Sequence, residues 1–397
     1  MVTPSELAAL LTPEALRLLD ALPPLESAGD VARAVSRLRA DGRSPDLVTA
    51  VVGQARLRHR ARDKFGPFAE RMLFTRAGLE QATRMEIAAR HAARFREAGV
   101  SSVADLGCGI GGDALGFAGL GLRVQAVDAD EVTAAIAAYN LAPFGDAVSV
   151  RTATAEDTDV SGVDAVWLDP ARRTAGHGET ARTGHAEWSP PLEWVFALAA
   201  RRPVGIKLGP GLDRDLLPDD VEAQWVSADG STIELVVWSG VLARADVRRA
   251  ALVVRGGASW ELTAATDAED APVRELGAYL HEPDGAVIRA RLIGDVARAL
   301  EAGMLDERIA YLTSDSALTS PFVQSFRVRE VVPSDVKALS KLLRARGIGR
   351  LEIKKRGVDV DPAVLRTKLK LRGDEEATLL LTRVGNKRLA VLADRVG

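Results

Sequence analysis

The sequence predicts an α/β protein: a parallel sheet wound with helices, preceded by a helical segment and followed by a smaller α+β domain. Three observations predict it. Short apolar strands alternate with helical stretches from Ser102 to Trp238, the texture of a parallel sheet whose ligands bind at strand C-terminal ends. The first of those strands runs into a glycine-rich turn, Gly107 to Gly112. From Phe326 onward the order strand, helix, strand, helix, hairpin reads as a separate small domain. A chain of 397 residues has room for two or three cores. The expected boundaries are 1–98 (helical), 99–240 (α/β), 241–320 (connecting, mostly β) and 321–397 (α+β).

In the helical segment, Thr3-Pro4-Ser5-Glu6 and Thr12-Pro13-Glu14 each place a hydroxyl at the N-cap and a proline at the first helical position. Leu7, Leu10, Leu11, Leu16, Leu18 and Leu19 supply apolar faces, and Pro23-Pro24 ends that unit. A further helix starts after Ser44-Pro45, and one alanine-rich helix is expected from about Gly78 to Glu97. Strands follow at Val103–Leu106, Leu122–Val127, Ala147–Val150, Ala165–Leu168, Val204–Leu208, Ala223–Val226 and Ile233–Trp238. After Gly240, Gly256-Gly257 and Gly385-Asn386 mark hairpins. The tail reads strand (Phe326–Val332), helix (Ser334–Arg346), strand (Leu351–Lys354), helix (Pro362–Leu369), hairpin.

Composition narrows the function classes. With 47% hydrophobic and 27% charged residues the chain is not a disordered one. Its single cysteine, Cys108, excludes an internal disulfide framework and a multi-cysteine zinc site, and five scattered histidines suggest no bound metal. No apolar run approaches the roughly 20 residues of a membrane span, and the N-terminus lacks a basic-then-apolar leader. A cytoplasmic location is expected. The net charge of −3 hides an asymmetry: residues 321–397 hold 18 Lys/Arg against 9 Asp/Glu, a balance that suits a nucleic-acid partner.

The strongest motif is Asp105-Leu106-Gly107-Cys108-Gly109-Ile110-Gly111-Gly112-Asp113, set between a strand and a helix. Gly107, Gly109 and Gly112 satisfy G-x-G-x-x-G, so a dinucleotide site is one reading. Two features favour S-adenosylmethionine. Asp105 is placed to accept from the ligand's ammonium group, where a pyrophosphate would be repelled. Asp128, in Val127-Asp128-Ala129-Asp130 at the end of the next strand, can accept both ribose hydroxyls, a role shared by both cofactor classes.

These residues resemble the first and second motifs of class I S-adenosylmethionine-dependent methyltransferases, over about Ser101 to Ser239. The resemblance implies a seven-stranded Rossmann-like methyltransferase core with strand order 3-2-1-4-5-7-6. It implies cofactor contacts from Asp105, Gly107, Gly109, Asp128 and Ala129, and an adenine contact after the third strand. There Thr154 stands in the acid's place, beside Ala155, with Glu156 as the alternative. Thr75 and Gln81, with Thr83, lie in the segment that commonly closes over the cofactor in this fold.

Val166-Trp167-Leu168-Asp169-Pro170-Ala171-Arg172-Arg173 resembles the Asp-Pro-Pro signatures of nucleic-acid methyltransferases, with Ala171 in place of the second proline and no aromatic following. Asp169, with Pro170 and its carbonyl, is the expected catalytic element: it can orient an amine or hydroxyl toward a methyl donor. Arg172, Arg173 and Lys207 are candidate substrate contacts. The long stretch Thr174 to Pro191, with His177 and His185, is a candidate lid. C5 methylation of pyrimidines needs a cysteine nucleophile near the fourth or sixth strand, and Cys108 lies in the cofactor loop instead.

The tail from Val331 to Gly357 and its closing hairpin resemble the C-terminal THUMP-like domain attached to some bacterial methyltransferases, which implies an RNA partner, tRNA or rRNA. Lys354, Lys355 and Arg356 are the candidate phosphate contacts. The basic run Arg56, Arg58, His59, Arg60, Arg62, Lys64 reads as a solvated helix face. The expected activity is methylation of structured RNA at a nitrogen or ribose oxygen. The alternatives are a small-molecule or protein methyltransferase, and a non-catalytic RNA-binding protein on the same fold.

Overall fold

A computed structural model of the chain describes residues 4–172 and 188–396. They divide into two compact units, Met1–Leu208 with Val237–Ala243, and Gly209–Val236 with Arg244–Gly397.

The first unit opens with helices α1 (Pro4–Leu10), α2 (Pro13–Ala21), α3 (Ala28–Ala40) and α4 (Pro45–Phe65). Their starts follow local chemistry. Thr12 Oγ1 accepts from Ala15 N–H at 3.1 Å, and Ser44 Oγ accepts from Leu47 N–H at 3.3 Å, with Pro45 opening the helix. Helix α3 is an addition to the expected elements. Its signal is the reciprocal capping box Ser27–Asp30.

The alanine-rich stretch expected as one helix is two: α5 (Arg76–Gln81) and α6 (Met85–Glu97). The chain is extended at Ala82 and Arg84. Lys64 Nζ donates to the carbonyls of Leu79, Glu80 and Ala82 at 2.7–2.9 Å, taking the acceptors a continuing helix would use. The preceding segment is held by side chains. Gln54 pairs in both directions with the Phe74 backbone, and Asn140 does the same with Leu73.

Strands β1 (Ser102–Leu106), β2 (Arg123–Asp128), β3 (Val148–Thr152), β4 (Ala165–Leu168) and β5 (Val204–Leu208) are parallel. They alternate with helices α7 (Gly112–Gly119), α8 (Glu131–Leu141) and α9 (Leu192–Ala199). The end of β7 (Ser231–Trp238) reaches the same unit, where Ser239 N–H donates to Val204 O at 3.0 Å. With β6 (Glu222–Ala228) on its other side, the order is β3-β2-β1-β4-β5-β7-β6. That is the 3-2-1-4-5-7-6 arrangement expected of a Rossmann-like methyltransferase core, and two further strands beyond β6 extend the sheet to nine.

Asp105 pairs in register with Ala126 on one side and Trp167 on the other. Side chains alternate along a strand, so Asp128, two residues past Ala126, points to the same face as Asp105, and Asp169 directly follows the end of β4 beside them. Gly205 pairs with Trp167, which sets Lys207 on that face as well. Beneath them Trp167, Trp238, Phe95, Phe117 and His91 form one aromatic cluster, with His91 and Trp167 centroids 4.5 Å apart.

In the second unit β8 (Arg249–Arg255) lies parallel to β6 and turns at Gly256-Gly257 into antiparallel β9 (Ala258–Ala264). Two short helices, α10 (Gly285–Arg289) and α11 (Ile293–Ala299), interrupt the stretch expected to be mostly β. Each is under two full turns, too short to leave a helical period in the sequence. A second sheet holds β10 (Tyr279–Pro283), β11 (Gly303–Asp306), β12 (Ile309–Ser314), β13 (Val323–Val332), β14 (Ile348–Lys355), β15 (Glu375–Val384) and β16 (Lys387–Val396), ordered β11-β12-β10-β13-β16-β15-β14. Helices α12 (Val336–Ala345) and α13 (Pro362–Leu369) cover one face, burying Leu339, Leu343, Leu365 and Leu369 against Leu379 and Leu392. Residues 241–320 thus supply strands to both sheets.

Candidate active site

The glycine turn follows β1 because its first residue takes a conformation that side chains resist. Gly107 has φ +91°, and its N–H and that of Cys108 both donate to Val127 O at 2.9 Å. A Cβ on Gly107 would stand 3.5 Å from Asp169 O, so the turn runs directly past the end of β4. Gly109 N–H donates to Asp128 Oδ2 at 3.0 Å, and Asp130 N–H donates to Asp128 Oδ1 at 2.9 Å. Asp105, Gly107, Gly109, Asp128 and Asp169 therefore meet at the C-terminal edge of three adjacent strands.

Asp105 is 1% exposed, and its Oδ2 is buried without a hydrogen-bond partner. Burial pushes its carboxyl well above the ordinary range. The carboxylates of Asp113, Asp169 and Asp128 push the same way, and Lys207 opposes them. A buried, unpaired carboxyl oxygen is expensive to keep unless a donor arrives. Burial also raises the Asp128 carboxyl, against the hydrogen bonds from Asp130 and Gly109. It raises the Cys108 thiol as well, helped by Asp105 and Asp128.

Lys207, a candidate substrate contact or ion-pair partner, has its ammonium inside a polar cluster, 2.5 Å from Asp169 Oδ2, 3.0 Å from Thr83 Oγ1 and 3.9 Å from Asp113 Oδ2. Thr83, a candidate cofactor contact, donates to Asp113 Oδ2 at 2.7 Å while accepting from Lys207. Asp113 also meets His91 Nδ1 at 2.8 Å. Burial works against its ionisation, yet the His91 hydrogen bond, the Lys207 charge and the Thr83 hydroxyl outweigh it and hold the carboxyl at about 2.

Sequence reasoning gave Asp113 and His91 no role. The one available signal was an acid in the first turn of α7, indistinguishable from an ordinary helix-start residue. Pro170 is buried beside Asp169.

The remaining candidates are spread more widely. Thr75 caps α5, accepting from Gly78 N–H at 2.8 Å. A Cβ on Gly78 would lie 2.5 Å from Ile110 Cγ2, so α5 sits against the glycine loop. Gln81 and Ala129 are exposed. Thr154 both donates to Asp157 Oδ2 (2.7 Å) and accepts from Asp157 N–H (3.1 Å), closing a local turn over buried Ala155. The backbone of Arg172 pairs with Trp188 in a two-residue ladder. Arg173, His177 and His185 lie outside the described residues. Among the described residues no group of three or more His, Cys, Asp or Glu is arranged to hold a metal ion, and no helix is long and apolar enough to cross a membrane.

In the second unit the three candidate phosphate contacts behave differently. Lys354 Nζ is 2.5 Å from Glu282 Oε2, and Arg356 is 3.6 Å from Glu282 Oε1. Lys355 is exposed. The helix layer carries exposed Lys337, Lys341, Arg344, Arg366, Lys368, Lys370 and Arg372, with no ion pair to any of them among the described residues.

A family model described as a THUMP domain-like domain matches residues 323–395, and one for a domain of unknown function matches residues 3–61. Two proteins from Mycobacterium tuberculosis, strains CDC 1551 and H37Rv, both named as uncharacterized S-adenosylmethionine-dependent methyltransferases, are 34% identical over 358 residues. The match covers 88% of this chain and 95% of theirs. A crystal structure from Porphyromonas gingivalis W83, assigned as a methyltransferase, superposes with a TM-score of 0.76 at 21% identity. It covers 97% of this chain and 98% of that one.

Proposed function

Because the chain belongs to the S-adenosylmethionine-dependent methyltransferases that end in a THUMP-like domain, we propose that its substrate is a structured RNA, tRNA or rRNA. The methyl would go to a nitrogen or a ribose oxygen. The observation that carries the RNA reading is the α12–α13 layer, where five exposed cations on the helices, with Lys370 and Arg372 just after α13, stand without ion pairs among the described residues. Uncompensated lysines and arginines on one layer suit phosphate contacts, which position RNA without reading its sequence. This favours a docking surface away from Lys354 and Arg356, which already share ion pairs with Glu282, and for Lys354 also with Glu352. Such an enzyme would work in the cytoplasm.

The buried, unpartnered Asp105 Oδ2 fits the ammonium of the cofactor's methionine moiety. Asp128 fits the ribose hydroxyls, and Gly107 and Gly109 leave the loop backbone open to close approach. Bound S-adenosylmethionine supplies an electrophilic methyl group. The chain's own residues do the rest. Asp169 accepts a hydrogen bond from the target N–H or O–H, which aims the lone pair and takes up the proton the nucleophile loses. Lys207 grips Asp169 Oδ2, and Thr83 and Asp113 anchor Lys207 from behind. The catalytic carboxylate is thereby held on a rigid strand end.

The test uses RNA from cells lacking the protein, incubated with the purified chain and isotope-labelled S-adenosylmethionine, then digested for nucleoside mass spectrometry. Label in one modified nucleoside is expected. Replacing Lys337, Lys341 and Arg344 by alanine should flatten the salt dependence of RNA affinity by the release of about three counterions. Label appearing only in protein or small molecules, or an unchanged salt slope, would overturn the reading.

A further inference from the structure

We propose a second ligand site in the first unit, a cleft for a nucleotide phosphate walled by α2, α4, the turn Gly66–Arg71 and the end of α8. The cleft has a volume of about 960 Å³ and shares no lining residue with the glycine loop, a size ordinary for a small-ligand pocket.

Its case rests on two buried donors. Arg58 is 8% exposed. Its Nε donates to Met72 O at 2.9 Å and its Nη1 to Asp20 Oδ1 at 2.8 Å, which fixes the guanidinium in place. Its Nη2 is buried with no hydrogen-bond partner, and so is Nδ1 of the adjacent His59. Buried guanidinium and imidazole nitrogens are rarely left unpaired, because the lost hydration is not replaced. Two of them on neighbouring residues lining one cleft call for an acceptor.

The charges in the cleft indicate which acceptor. Asp20 is committed to Arg58, and Glu70 is committed to Arg62 at 3.0 Å. Arg71 also lines the cleft and takes part in no ion pair among the described residues. The surplus is positive, and an arginine fork matches a phosphate in both geometry and charge. The rest of the wall is apolar, from Leu22, Pro23 and Pro24, with the ring of Tyr139 beside them. An apolar wall with an aromatic ring suits a nucleobase, which presents a π-face whatever its identity. The basic run on α4 is therefore not a uniform solvated face. Arg58 and His59 line this cleft, while Lys64 caps α5.

The same chemistry has two sources, a free nucleotide or one nucleotide of an RNA strand. The experiment is isothermal titration of the full chain, saturated with S-adenosylhomocysteine to occupy the cofactor loop, with UMP, uridine and a short oligouridylate. UMP should bind, and uridine should bind at least about tenfold more weakly, reflecting a lost charge-assisted hydrogen bond. Arg71→Glu and His59→Gln should each weaken UMP by about tenfold while leaving S-adenosylhomocysteine affinity unchanged. Arg58→Lys keeps the charge but loses the fork and should act likewise; Arg71 and His59 decide the matter if that variant fails to fold. Comparable affinity for UMP and the oligonucleotide assigns the site to a free nucleotide, and a strong preference for the oligonucleotide assigns it to RNA. Absence of binding by both UMP and the oligouridylate at millimolar concentration overturns the site. So does binding that Arg71→Glu and His59→Gln leave unchanged.

Discussion

Replacing Asp113 with asparagine should lower the stability of the protein by about 2 kcal/mol at neutral pH, and the deficit should shrink in acid. The magnitude comes from the buried cluster. His91, Lys207 and Thr83 together bring the Asp113 carboxyl from an ordinary 3.8 down to about 2. At about 1.4 kcal/mol per pH unit of displacement, that is about 2 kcal/mol favouring the folded state.

The direction follows from linkage. A carboxyl whose folded value lies below its unfolded one contributes its full stability above 3.8 and loses it as pH falls through about 2. Wild type and Asp113→Asn should therefore differ at neutral pH and converge as pH falls from about 4 toward 2. Urea unfolding of both proteins over that pH range reads the difference directly. Equal stability at neutral pH, or a gap that persists undiminished into acid, would refute the buried ion cluster as described.

The other predictions concern the site more directly. Asp105→Asn should weaken S-adenosylhomocysteine binding by tenfold or more, about one charge-assisted hydrogen bond. Because burial raises the Asp105 carboxyl, wild-type affinity should increase with pH as that proton is lost, and the variant's should stay flat. Titration calorimetry across pH checks both. Lys207→Met should reduce single-turnover methyl transfer by roughly a hundredfold through loss of Asp169 alignment, and weaken cofactor binding by a smaller factor because Lys207 helps keep Asp105 ionised; equal losses in both would show that Lys207 serves binding alone. Gly78→Val would drive a side chain into Ile110, 2.5 Å from the position of its Cβ. It should destabilise the fold by about 1–3 kcal/mol and loosen cofactor binding, measured by thermal unfolding and calorimetry.

Much of this molecule is written locally. Helix starts at Thr12 and Ser44, the hairpins at Gly256-Gly257 and Gly385-Asn386, and the alternation of strand and helix all depend on a few adjacent residues. The candidate cofactor residues are legible for the same reason. Asp105, Gly107 and Gly109 share one turn, and Asp128 and Asp169 each end a strand. In a parallel sheet the ends of neighbouring strands necessarily lie side by side.

What the local pattern could not contain is the partner of each charge. Lys207 and Thr83 are 124 positions apart, and Lys354 meets Glu282 from 72 positions earlier. Arg58 reads as one more surface cation in a basic helix, yet it is buried against Met72 and Asp20. These pairings depend on which strands lie side by side and which helix covers them. A sequence states a charge, and only the tertiary fold states what neutralises it. Sequence alone was enough to propose the chemistry of the glycine loop and of Asp169. Packing decided that Lys207 braces the carboxylate, that Asp113 anchors Lys207, and that a group of uncompensated cations of the C-terminal domain lies on and just after α12 and α13.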